Sequence, residues 1–213
     1  MKLFFRQWLK TRRNGQGLLE TIVALTILVT GAVSMLVLVS AMSVARSVSE
    51  LQTVAVNLAR EGIEFSRSIR DSNWLQNIAF DTTLNIDDTH SFVPKLDPST
   101  NLVALDFSPQ TIDDAAWTKI FKYNELSTYF GLMVNFQATP PPGSDLTATP
   151  FQRIVYAYPI CEDGSVLTSG QCSDMTYTEI GLKIVCEVQW SERNRTHRVK
   201  LEEDLYDWQR GGR

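Results

Sequence analysis

The sequence predicts an α+β protein in which one long N-terminal helix, membrane-spanning in its first half and amphipathic in its second, packs on an antiparallel β-sheet head. Three observations predict it. Residues 21–45 carry no charge, and a helix of that length reaches about 37 Å, enough for a hydrocarbon core of roughly 30 Å. No proline occurs before Pro94, so nothing in the first third of the chain forces a helix to end. Beyond Trp74, Asp, Asn, Pro, Ser and Thr punctuate short apolar stretches, as in strands joined by loops.

The chain averages hide this asymmetry: 213 residues, 21% charged, 44% hydrophobic and a net charge of −4 describe an ordinary globular protein. Resolved along the chain, they give a basic leader over 1–15, a helical segment over 16–75 with its membrane part at about 18–45, and a β-rich head over 76–213. The leader holds Lys2, Arg6, Lys10, Arg12 and Arg13 and no acid, which by the positive-inside bias keeps that end cytoplasmic and puts the head outside. Ser43-Val44-Ala45 has the small-x-small form of a signal-peptidase site. The apolar run is nevertheless longer than the roughly 7 to 15 residues of a secretory signal core.

The helix continues past the membrane part. Leu51, Val54, Leu58, Gly62, Phe65 and Ile69 recur at spacings of three and four, while Glu50, Arg60, Glu61, Glu64, Arg67 and Arg70 mostly take the other positions. A single helix over about 17–73 would be near 85 Å long, with Gly31 and Gly62 as its weak points. In the head, 181–190 alternates Leu182, Ile184, Cys186, Val188 and Trp190 with Lys183, Val185, Glu187 and Gln189, the pattern of a strand with one buried face. A polar turn over 191–196 and a second alternation over 197–201 complete an antiparallel hairpin. Further strands are expected at 131–138 and 152–159, with the Pro140-Pro141-Pro142-Gly143-Ser144 run as an exposed connection. Residues 113–124 fit either a short helix or a strand.

Cys161, Cys172 and Cys186 all fall in the exported part, where disulfides persist. The turn-rich loop between Cys161 and Cys172 favours that pairing, worth roughly 2 to 3 kcal/mol; the alternative is Cys172 with Cys186. Cys186, among aliphatic residues on the inward side of its strand, reads as a small buried hydrophobe. No enzyme, cofactor or metal site is expected: His90 and His197 each stand alone in polar surroundings, and there is no paired Cys-x-x-Cys, His-Glu-x-x-His or glycine-rich phosphate loop. The acidic pairs Asp87-Asp88 and Asp113-Asp114 read as solvated turns rather than calcium ligands. The acidic balance gives no reason to expect nucleic acid as a partner.

One segment is more specific. In Asn14-Gly15-Gln16-Gly17-Leu18-Leu19-Glu20-Thr21 a basic stretch ends in glycine, and a single carboxylate sits just inside the apolar run. A charge at the centre of a membrane helix costs about 2.5 to 3.5 kcal/mol on insertion scales, whereas in the first turn near the headgroups the helix dipole favours it. The segment resembles the processing signal of type IV pilins and of the pseudopilins of type II secretion and competence systems. The resemblance implies cleavage after Gly15 by a prepilin peptidase, a mature chain starting at Gln16 with a methylated amine, and Glu20 as the mature chain's fifth residue, which guides assembly by meeting a neighbour's terminal amine. It implies as partners that peptidase, other pilin subunits, the inner-membrane assembly platform and the lipid membrane. Gln16 stands where phenylalanine is usual, and Gly17 where threonine is frequent; a terminal glutamine can cyclise and lose the amine. The family's common helix-breaking proline is missing.

Thr26, Thr30 and Ser34 form a small-residue stripe at four-residue spacing, suited to close packing of membrane helices. Leu58-Ala59-Arg60-Glu61-Gly62-Ile63-Glu64 with Ile69-Arg70-Asp71-Ser72-Asn73-Trp74, and a closing strand pair that ends at Trp208, look like the corresponding parts of minor pilins of the pilus-modification kind. A filament subunit is therefore the expected function. A secretion or competence pseudopilin, or a tethered extracytoplasmic binding domain, are the alternatives.

Overall fold

The computed structural model describes residues 16–84, 90–97, 102–124, 133–135 and 146–208. The chain divides into two units, Met1–Ser49 and Glu50–Arg213. A single helix, α1 (Gln16–Leu75), contributes to both. In the first unit its residues 17–43 are all exposed, and the helix is long and apolar enough to span a membrane.

The second unit is α+β. After α1 come β1 (Ser91–Asp97), β2 (Leu102–Asp106), the one-turn helix α2 (Ala115–Thr118), β3 (Lys119–Tyr123), β4 (Met133–Asn135), β5 (Leu146–Cys161), a 3-10 turn at Cys172–Met175, β6 (Glu179–Glu192) and β7 (Arg195–Tyr206). They form a seven-stranded sheet in the order β2-β1-β4-β3-β5-β6-β7. Every pairing is antiparallel except β1 with β4, which meet in parallel at Lys95 and Asn135. The segment readable as helix or strand is both in succession, α2 then β3. Strands β5 to β7 are longer than their alternation alone marked out. The turn between β6 and β7 shrinks to Arg193 and Asn194, both in the left-handed region at φ 49° and 62°, the requirement of a two-residue hairpin turn matched to strand twist. Of the strand expected at 131–138 the described part is Met133–Asn135; the proline run at 140–144 and the Asp87-Asp88 pair lie outside the described residues.

The second half of α1 lies on one face of this sheet through the expected stripe, with Leu58 and Gly62 buried and Leu51, Val54 and Ile69 packed against the core, and the buried centre is shifted toward smaller neighbours. Ala55, Leu58, Ala59, Ile63, Ser66 and, near the helix end, Asn73 are the buried residues, together with Gly62, whereas Val54 and Phe65 are only partly covered. Small residues take the centre because the helix comes close to the sheet: a Cβ on Gly62 would lie 2.5 Å from Cys186 Sγ and 3.2 Å from Val155 Cγ2. Gly62 is thus the point of closest approach rather than a weak point, and its lost helix propensity of about 1 kcal/mol is offset by contact. Opposite it, Phe151, Val155 and Ala157 of β5, Leu182, Ile184, Cys186, Val188 and Trp190 of β6, and Leu205 of β7 form the core together with Phe80, Leu84, Phe92 and Ile120. β6 is not buried on one side only. Val185 and Glu187, on its other face, are 7% and 3% exposed, the carboxylate being held by Lys200 at 3.1 Å and Arg198 at 3.3 Å.

Candidate functional site

The residues singled out in the first unit share one helix. Gly15 lies outside the described residues, and Gln16 is the first residue of α1. Glu20, one turn further on, is exposed and is the only charged residue of α1 before Arg46. Thr26, Thr30 and Ser34 turn their hydroxyls inward on their own helix: Thr26 Oγ1 donates to the Ile22 carbonyl at 2.6 Å, Thr30 Oγ1 to that of Thr26 at 2.9 Å, and Ser34 Oγ to that of Thr30 at 2.8 Å. With the hydroxyls so satisfied, the stripe presents a surface that demands no outside hydrogen bond. Ile22, Leu25, Thr26, Val29 and Thr30 line a shallow, largely apolar groove along it. Close packing of a second helix needs such a relief.

The cysteines resolve as the turn-rich loop favoured. Cys161 and Cys172 are bonded, 5.5 Å apart at Cα, and Cys186 is free and buried. Burial pushes the Cys186 thiol up to about 12, the Arg153 charge opposing it only in part, so the thiolate that reactions require is suppressed.

Sequence reasoning missed Arg153. It occupies the helix-facing side of β5 and is 1% exposed. Its Nε donates to Asn135 Oδ1 at 3.0 Å, and its Nη1 lies 3.3 Å from the Leu58 carbonyl and from Glu61 Oε1. Asn135, fully buried, donates in turn to the Thr118 and Arg153 carbonyls. One guanidinium therefore ties α1 to β4 and β5. The signal was available in strand parity, since Phe151, Arg153, Val155 and Ala157 alternate on one face and a charge among them needs partners. Glu61, which sequence placed on the polar side of the helix, is the half-exposed partner.

The end of α1 is fastened by the residues that looked motif-like. Asn73 Nδ2 donates to the Phe80 and Thr82 carbonyls at 3.1 and 2.6 Å, holding the chain that leaves the helix. Trp74 Nε1 donates to Asp207 Oδ1 at 3.3 Å, and its ring meets Trp208 edge-on at 4.7 Å, with the Arg70 guanidinium 4.5 Å from the ring centre. Arg67 reaches Glu203 of β7 at 2.5 Å. That carboxylate raises the Arg67 pKa.

No family model matches the sequence, and no curated protein or solved structure matches it. The histidines differ from their expected polar settings. His90 is buried, 7% exposed, beside Tyr158 at 6.0 Å between ring centres, and His197 stacks on Trp190 at 5.3 Å. Asp113 pairs with Arg198 at 3.1 Å. Among the described residues, no three His, Cys, Asp or Glu side chains converge to hold a metal.

Proposed function

We propose that the chain is a structural subunit, of the minor pilin kind, of a type IV pilus-like filament. It is cut after Gly15 by a prepilin peptidase, held in the inner membrane by the first half of α1 with its head outside, and assembled through that helix. The observation that carries the reading is Glu20: a lone exposed carboxylate in an otherwise uncharged helical run that extends to Ala45. In a hydrocarbon setting such a group needs a cationic partner, and the amine released on Gln16 of a neighbouring subunit is one that cleavage creates. The self-satisfied Thr26, Thr30 and Ser34 stripe supports helix packing beside it. The Cys161–Cys172 bond supports an exported head.

The test separates processing from assembly. In cells that make the filament, Gly15→Ala is expected to leave the precursor uncut. Glu20→Ala is expected to be cut normally but to fall at least tenfold in sheared filament fractions. Normal incorporation of the uncut Gly15→Ala precursor would refute the scheme.

A further inference from the structure

The face of the sheet turned away from α1 carries a groove of about 440 Å3, within the roughly 300 to 1,000 Å3 typical of small-molecule sites. Its centre is set by strand register. Tyr156, Val185 and Glu202 stand in one row across β5, β6 and β7, so Val185 forms the floor between a tyrosine side and a charged side. On the tyrosine side, Tyr156 and Tyr158 are half-buried with rings parallel within 5° and centres 5.8 Å apart. Lys183, in register with Tyr158, and Glu187 flank Val185 along β6, and they pair with Glu202 at 2.7 Å and Lys200 at 3.1 Å on the β7 side. Val166 and Thr168 close one end. They belong to the loop bridged by Cys161 and Cys172, and are fixed by the pairing of Val166 with Ile160 and by the Leu167 N–H bonded to the Pro159 carbonyl at 3.0 Å.

We propose that this groove binds a neutral sugar unit of a glycan. The two lysines and two glutamates that line it cancel in charge, and each already has an opposite partner within hydrogen-bonding distance. A charged ligand finds no net opposite charge there to offset the hydration it would lose. A neutral polyol needs none and can use the spare hydrogen-bonding capacity of the pairs, because an ammonium has three donors and a carboxylate about four acceptor sites. Lys183, Lys200 and Glu202 therefore offer donors and an acceptor beside one another, as sugar hydroxyls require, while Glu187, 3% exposed and held by both Lys200 and Arg198, only anchors Lys200; tyrosine rings and the Val185 methyls offer an apolar surface to the C–H face of a pyranose. The inference does not depend on the filament reading, since it concerns the head alone.

The test uses the full chain in lipid nanodiscs free of sugar-headed detergents and lipids. Saturation-transfer NMR is recorded with methyl β-galactoside, methyl β-glucoside, N-acetylglucosamine and its β1,4-linked dimer, and with glucuronate and glucosamine as charged comparators. At least one neutral sugar is expected to show transfer concentrated on the C–H protons of one ring face, with the charged comparators at least fivefold weaker. Thr168→Trp, on an exposed loop position, fills the groove, and Lys183→Ala removes a donor. Each is expected to weaken binding at least fivefold without moving the unfolding midpoint. Absence of transfer to every neutral sugar, equal binding of a charged comparator, or binding unchanged in both variants would overturn the proposal.

Discussion

Substituting alanine at Gly62 gives a sharp test of the helix–sheet contact, because two principles predict opposite signs. In an open helix Gly→Ala stabilises by about 1 kcal/mol. Here the added methyl would sit 2.5 Å from Cys186 Sγ, 0.9 Å inside the 3.4 Å at which ordinary contact begins, and 3.2 Å from Val155 Cγ2. Both neighbours are 0% exposed, so neither has free space to retreat into. Overpacking of this kind costs about 1 to 3 kcal/mol. The double contact places it near 3, and after the propensity gain a net loss of about 2 kcal/mol remains. Cys186→Ala removes the obstructing sulfur and by itself costs about 1 kcal/mol. The double variant should then be no less stable than Cys186→Ala, a coupling of about 2 kcal/mol. Urea unfolding of the full chain in detergent, followed by tryptophan fluorescence, reads all four proteins. A stabilised Gly62→Ala, or strict additivity in the cycle, would refute the close-contact argument.

Arg153→Ala is expected to cost about 3 to 5 kcal/mol, since it opens a cavity and takes the donor from the buried Asn135 Oδ1. Glu61→Gln leaves the Arg153 guanidinium, 1% exposed, with the neutral acceptors Asn135 Oδ1 and the Leu58 carbonyl, and should cost about 1 to 3 kcal/mol; an unchanged midpoint in the same unfolding assay would contradict the pairing. Burial raises the Cys186 thiol from 9.0 to about 12 and the Tyr156 phenol from 10.0 to about 12. The folded chain thus holds protons that the unfolded chain has lost, and stability should fall as pH rises from about 9 towards 12. In Cys186→Ala the decline measured by urea midpoints should begin nearer 10. Replacing Cys161 and Cys172 by serine should lower stability by about 2 to 3 kcal/mol while Cys186 stays unreactive to iodoacetamide at neutral pH; rapid labelling in the folded protein would contradict its burial.

What the sequence made legible follows from how local each signal is. Helix α1 and strands β5 to β7 announce themselves by charge-free length or by alternation, both readable within a short window. Strands β1 and β2 do not: β2 has five residues, and β1 contains Pro94, paired in register with Leu105. The expected stripe of α1 holds for Leu58 and Gly62, which are buried, and for Leu51, Val54 and Ile69, which pack against the core; it missed Ala55, Ala59 and Ser66 because hydrophobicity weights large side chains, whereas these are buried where the helix comes close to the sheet. Arg153 and its partners Glu61, Leu58 and Asn135 are far apart in the chain, so their meeting depends on the pairing of β5 and on how α1 crosses it. The same holds for the groove, whose sides come from β5, β6, β7 and the disulfide loop. That Glu20, Thr26, Thr30 and Ser34 lie on one helix was legible from the charge-free run, and the four-residue spacing puts the last three on one face.

The most direct measurement for the proposed function is the intact mass and N-terminal sequence of the protein from cells with and without a prepilin peptidase. The filament account predicts a chain beginning at Gln16 only where the peptidase is present, with an added methyl if the new amine is modified. An unchanged start at Met1 in both, or a cut near Ala45, would contradict it.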